Sequence, residues 1–122
     1  MYVGSLLTVK QSVFVGNHGG RGGAIFHNAL DGLLENSLFA ENTATNAGDQ
    51  LFLNSTWLVT LNHITAVGSA GGMGTGIHIT NSDVVLTNTI VASQTIGLNN
   101  GAHRRTEAAC DTGKIVSAPN DI

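Results

Sequence analysis

Leu7-Thr-Val-Lys-Gln-Ser-Val-Phe-Val-Gly-Asn17, laid over Leu33-Leu-Glu-Asn-Ser-Leu-Phe-Ala-Glu-Asn42, decides the fold of this chain. The overlay places Ser12 on Ser37, Phe14 on Phe39 and Asn17 on Asn42, each 25 residues apart. A third copy runs from Leu58 to Gly68 and a fourth from Val84 to Ser93, at spacings of 25 to 27 with the register of these two open by one residue. Each unit has a second half: Gly22-Gly-Ala-Ile-Phe26, Gly48-Asp-Gln-Leu-Phe52 and Gly74-Thr-Gly-Ile-His-Ile79. Here Ile25, Leu51 and Ile77 recur every 26 residues, and so do Phe26, Phe52 and His78. Within every half-unit apolar and polar residues alternate with period 2, the strand period, and no helical spacing recurs.

Short strands with Gly and Asn corners, repeated every 26 residues or so, match one turn of a β-solenoid. Coils stacked about 4.8 Å apart would put equivalent side chains in columns. Val13, Leu38 and Ile64 or Thr65 form one such neighbourhood, and Asn28, Asn54 and Thr80 or Asn81 form a polar ladder at a corner. Asn suits corners because it tolerates left-handed backbone angles. The reading is all-β, about four coils over residues 1–95 with an irregular coil or tail over 96–122. The chain shows no plain capping element, so an end is expected to be covered by a second copy, or the chain to be a piece of a longer one.

Composition agrees. The chain has 122 residues, room for one domain, with 16 Gly, 1 Pro and 11% charged residues. At 42% hydrophobic it has enough apolar side chain to bury a core. A net charge of -3, with Lys10, Arg21, Arg104, Arg105 and Lys114 the permanent cations, leaves no footprint for a phosphate backbone, so nucleic acid is not an expected partner. Every apolar run is interrupted too early to span a bilayer. The N-terminus lacks the basic region of a signal peptide. Cys110 is the single cysteine and makes an internal disulfide impossible.

The units Ser12-Val-Phe-Val-Gly-Asn17 with Gly22-Gly-Ala-Ile-Phe26, and Asn88-Thr-Ile-Val-Ala92, resemble the right-handed parallel β-helix repeats of large secreted or surface-anchored bacterial proteins. The resemblance covers about residues 6–95 and continues weakly through Ala109-Cys-Asp-Thr-Gly113. It implies a pectin-lyase-like fold and an extracellular or cell-surface location. Because such coils serve adhesins, autotransporter passengers, lyases and hydrolases alike, it does not fix an activity. The chain departs from the family in having four coils, no export signal and a cysteine without a partner.

For chemistry, a glycosidase needs two carboxylates facing one groove. Asp31 and Asp83 share a column two coils apart, and Trp57 between them would complete a sugar platform of an aromatic ring flanked by carboxylates. Recurring turn aspartates account for the same positions. Lys10 and Glu35 fall side by side on adjacent coils. A lyase would use Lys10 as its base, while a surface ion pair explains the spacing without chemistry. His18, Arg21 and His27 flank Gly19-Gly-Arg-Gly-Gly23, with no spacing that holds a metal. No cofactor is expected. Cys110-Asp111 with His103 is a formal thiol and imidazole pair. Ser69 in Gly68-Ser-Ala-Gly71 only loosely echoes a nucleophile elbow, and the glycines of Gly72-Met-Gly-Thr-Gly76 read as turn glycines.

Three functions follow as expectations. The first is a non-catalytic β-helix segment of an exported or cell-surface bacterial protein, adhesive, structural or in contact with a host or cell-surface polysaccharide. The second is a small polysaccharide lyase or other hydrolase with a groove drawn from Lys10, Arg21, His27, Glu35 and Asp49. The third is a solenoid that assembles with further copies of itself through its open coil edges. The first two separate on whether Asp49, Arg21 and His27 or His18 converge in one pocket.

Overall fold

A computed structural model describes residues 1–28, 30–54, 57–68, 71–72 and 75–100, together with the backbone strand at Ala109–Cys110. β1 (Tyr2–Val3) stacks on the end of the first full coil, which carries β2 (Leu7–Lys10), β3 (Val13–Val15), β4 (His18–Arg21) and β5 (Ile25–Asn28). The second carries β6 (Gly32–Ala40), β7 (Thr43–Ala47) and β8 (Leu51–Asn54), and the third β9 (Val59–Val67) and β10 (Thr75–Thr80). The fourth carries β11 (Val84–Thr87), β12 (Ile90–Ala92) and β13 (Ile96–Asn100), and β14 (Ala109–Cys110) stacks beyond it on β11.

Every pairing between these strands is parallel, and the chain is a β-solenoid of about four turns without a helix among the described residues. One sheet stacks β1, β5, β8, β10 and β13. A second stacks β2 and β3, β6, β9, then β11 and β12, and a short third joins β4 to β7. Parallel strands need long crossovers, and here each crossover is the rest of the coil. The ladder runs on past residue 95, because β13 pairs with β10 and β14 with β11.

The register closes what the sequence leaves open. Gly32 pairs with Val59, and Val59 with Val84. Leu38 therefore meets Thr65 and not Ile64, while Asn54 meets Thr80 and not Asn81. The extra residues of the second-to-third step fall ahead of β9, so the corner at His63 keeps its place above Asn36.

Stacked inward columns make the core. Val9, Leu34, Leu61 and Leu86 stack in one, and Ile25, Leu51 and Ile77 in another, all buried. Each buried aliphatic side chain contributes about 1.5 to 3 kcal/mol. Phe14 lies flat on Phe39, ring centroids 4.9 Å apart, and the column narrows to Ala66 and Val91. The Val13 column, by contrast, points outward.

Corners repeat as faithfully as strands. Gln11, Asn36, His63 and Asn88 occupy equivalent positions with φ of 48°, 49°, 53° and 49°, so a single left-handed residue bends each coil. Gly22 and Gly48 make another corner at φ 61° and 68°, where a Cβ would run into the backbone of Ile25 or Leu51. Inside the corner after β6, Asn42 is fully buried. Its Oδ1 accepts from the Asn17 backbone N–H at 2.9 Å, and its Nδ2 donates to the Phe14 carbonyl at 3.0 Å and to Gln50 Oε1 at 2.6 Å. The expected Asn ladder is present as well, with Asn54 Nδ2 donating to Asn28 Oδ1 at 2.7 Å.

Candidate functional site

Strand alternation builds the site. With Ile25, Leu51 and Ile77 turned inward, the next residues Phe26, Phe52 and His78 must turn outward, and Tyr2 of β1 adds itself above Phe26. The four rings form a continuous column. Tyr2 meets Phe26 edge to face at 5.1 Å, Phe26 meets Phe52 edge to face at 5.2 Å, and His78 stacks on Phe52 at 4.7 Å. These spacings are those at which aromatic pairs attract.

Arg21, at the end of β4, sets its guanidinium 5.5 Å from the Phe52 ring centroid. Because Gly19 and Gly20 beside it carry no side chain, the surface sinks into a cleft of about 420 Å³ lined by Met1, Tyr2, Gly20, Arg21, Phe26 and Asn46. The Met1 ammonium is engaged, donating to the Ala24 carbonyl at 2.6 Å. Burial first, and the Arg21 charge second, hold the His78 imidazole below its ordinary pKa of 6.5. The cleft thus offers an exposed phenol ring, a half-buried phenyl ring and one exposed guanidinium. Such a surface can take the apolar face of a flat ring and a carboxylate together.

The residues singled out from sequence lie elsewhere, Arg21 excepted. Lys10 Nζ sits 2.9 Å from Glu35 Oε2, an ion pair across β2 and β6. His27 is fully buried, in the inward column of Leu53 and Ile79, and neither ring nitrogen has a hydrogen-bond partner. Asp49 is also fully buried; its Oδ1 accepts from the Ala44 N–H at 2.9 Å and its carboxylate lies where a Cβ on Gly72 would be. His18 is exposed, its Nδ1 2.8 Å from Thr43 Oγ1. Arg21 faces outward while His27 and Asp49 lie inside, so the structure does not bring the three together.

Asp31 and Asp83 do precede equivalent residues, Gly32 and Val84, with Leu58 on the step between them. Trp57 is the neighbour of Leu58 and is 66% exposed. Asp31 Oδ1 accepts from the Leu58 N–H at 3.0 Å, the work of a turn aspartate, and Asp83 Oδ1 is buried without a partner. His103, Asp111, Ser69, Met73 and Gly74, and the side chain of Cys110, lie outside the described residues. Among the described residues no three His, Cys, Asp or Glu side chains gather as a metal site, and no helix is long and apolar enough to cross a membrane.

Tyr2, Asn46 and the outward face of Phe26, Phe52 and His78 escape a search for acids and bases. The 26-residue period of Phe26, Phe52 and His78, read one step out of phase with Ile25, Leu51 and Ile77, is the signal that marks them as an aromatic column on the opposite side of the strands from that aliphatic column. Compared with family models, curated proteins and solved structures, the chain matches none.

Proposed function

We propose that this chain is a non-catalytic β-helix segment of an exported or cell-surface bacterial protein, and that it contacts carbohydrate through the cleft between Tyr2, Arg21 and Phe26. The observation that carries this reading is the separation of the exposed Tyr2 ring and Arg21 guanidinium from His27 and Asp49, which are buried in the coil. Acid–base catalysis needs its groups within reach of one substrate. Lys10, the alternative base of a lyase, is held by Glu35. Binding needs less: a ring to stack on and a charge to orient the sugar.

Arg21 favours sugars that carry a carboxylate, since a guanidinium grips a carboxylate with two parallel hydrogen bonds. A glycan array comparing uronate-bearing with neutral oligosaccharides tests this, joined to a depolymerisation assay on the glycans retained. Retention of uronate glycans that weakens about tenfold or more in Arg21→Ala, with no shortening of the sugar, is the expected result. Shortened products would move the reading to the lyase or hydrolase, and binding indifferent to Arg21→Ala would remove the cleft from it.

A further inference from the structure

Phe52, in the second coil, lies between a group that carries a positive charge and one that can take it. The Arg21 guanidinium, from the first coil, stands 5.5 Å from the ring centroid, and the His78 imidazole, from the third, lies nearly parallel to the ring at 4.7 Å. Phe52 is only 5% exposed, so the field between the two groups crosses hydrocarbon more than water, where it is screened least. His78 Nδ1 is buried without a partner, and in the charged ring it would bury an N–H that meets no acceptor. Among the described residues nothing beside His78 offsets Arg21. Its own strand β10, the flanking β8 and β13, and β12 packed against it carry no charged residue. His27 on β5 points into the coil, and His18 at the far end of β4 is exposed and bonded to Thr43. The stack therefore favours the neutral imidazole, through burial first and the Arg21 charge second.

We propose that a carboxylate held by Arg21 and a proton held by His78 favour each other, so that the cleft takes acidic ligands more tightly as the pH falls. The inference rests on the reading of the cleft as a carboxylate-binding surface, and adds the regulation of that surface. An anion on the guanidinium cancels the charge that opposes the imidazolium, and only the cost of burial remains. The bound protein thus takes up a proton that the free protein declines. By linkage, affinity rises as the pH drops below about 6.5 and through the range in which His78 titrates. The coupling is reciprocal: the proton strengthens ligand binding by the factor by which the ligand strengthens proton binding. A carboxylic acid that ionises near about pH 3.5 is still an anion at about pH 5, so the ligand keeps its charge while His78 gains one. Such a cleft grips its ligand in acid surroundings and loosens it near neutrality.

The test is isothermal titration of the full chain with a hexamer of galacturonic acid at about pH 7.5 and about pH 5, both in about 0.15 M salt, with His78 followed by NMR in the free and the sugar-bound protein. Binding about threefold tighter at the lower pH, with the His78 midpoint moved upward by the sugar, is expected. Other histidines gain charge over the same range, so the variants His78→Asn and His18→Gln divide their contributions. His78→Asn should bind and lose most of the pH slope, whereas His18→Gln should keep it. A His78 that only supports Phe52 would instead weaken binding equally at both pH values and leave the slope in place. Equal affinity at the two pH values, a His78 midpoint unmoved by the sugar, or a slope that survives in His78→Asn would overturn the inference and leave the cleft as a binding surface. No binding at either pH would overturn the inference together with the reading beneath it. Circular dichroism checks that the variants are folded, and if His78→Asn is not, the NMR midpoint of the unaltered chain decides alone.

Discussion

His27 is the residue least at ease in this structure. It occupies an inward position between Val3 and Leu53, in a column that continues to Ile79, and both of its ring nitrogens are buried without partners. Burying an unsatisfied polar group costs about 1 to 3 kcal/mol, so His27→Leu should stabilise the chain by a comparable amount, read as a higher urea midpoint with an unchanged slope. Asn42 is the opposite case. It is buried just as deeply, but it joins the backbone of Asn17 and Phe14 to Gln50. Asn42→Ala should lower stability by roughly 2 to 4 kcal/mol, because removing the hub strands several buried groups at once. Sequence reading treats His27 as a site candidate because imidazole is a chemical group. Only the phase of β5, with Phe26 outward, shows that the ring points into the core.

Elements here are strands bent at single left-handed residues, and β6 passes through such a bend at Asn36 without breaking its pairing. A β-branched residue resists that conformation, so Asn36→Val should cost about 1 to 2 kcal/mol while Asn36→Gly costs little, compared by thermal melts. The sheet of β5, β8 and β10 carries the pH dependence. His78 has a folded-state pKa below the ordinary 6.5, through burial and then the Arg21 charge. The unfolded chain therefore takes up a proton near pH 6.5 that the folded chain declines. The stability is full above that pH and is lost progressively as the pH falls from there through the folded-state value. His78→Asn should flatten this part of the profile, seen as a smaller difference between urea midpoints at about pH 7 and about pH 5. Arg21→Gln should flatten it in part, since it removes the second cause and leaves the first.

At the scale of the whole molecule, stacked coils protect the middle more than the edges. Backbone amides of β6, β8 and β9, paired on both sides, should exchange with solvent more slowly than those of β1 and β4, which have a neighbour on one side. The period, the strand phase and the Lys10–Glu35 pair were legible in the sequence because each depends only on spacing along a regular stack. The register at Thr65 and Thr80 was not, since a two-residue lengthening can fall in a corner or a strand, and only the closed ladder decides. The cleft was half legible: Arg21 stood out by its charge, whereas Tyr2 joins Phe26 only through the pairing of β1 with β5. An NMR titration of the full chain with a hexamer of galacturonic acid follows protein and sugar in one sample, and so bears most directly on a non-catalytic, carbohydrate-contacting solenoid. Shifts confined to Tyr2, Arg21, Phe26, Asn46 and their neighbours, with the hexamer intact after prolonged incubation, are predicted. An unperturbed cleft, or signals of shorter or unsaturated sugars, would contradict the account.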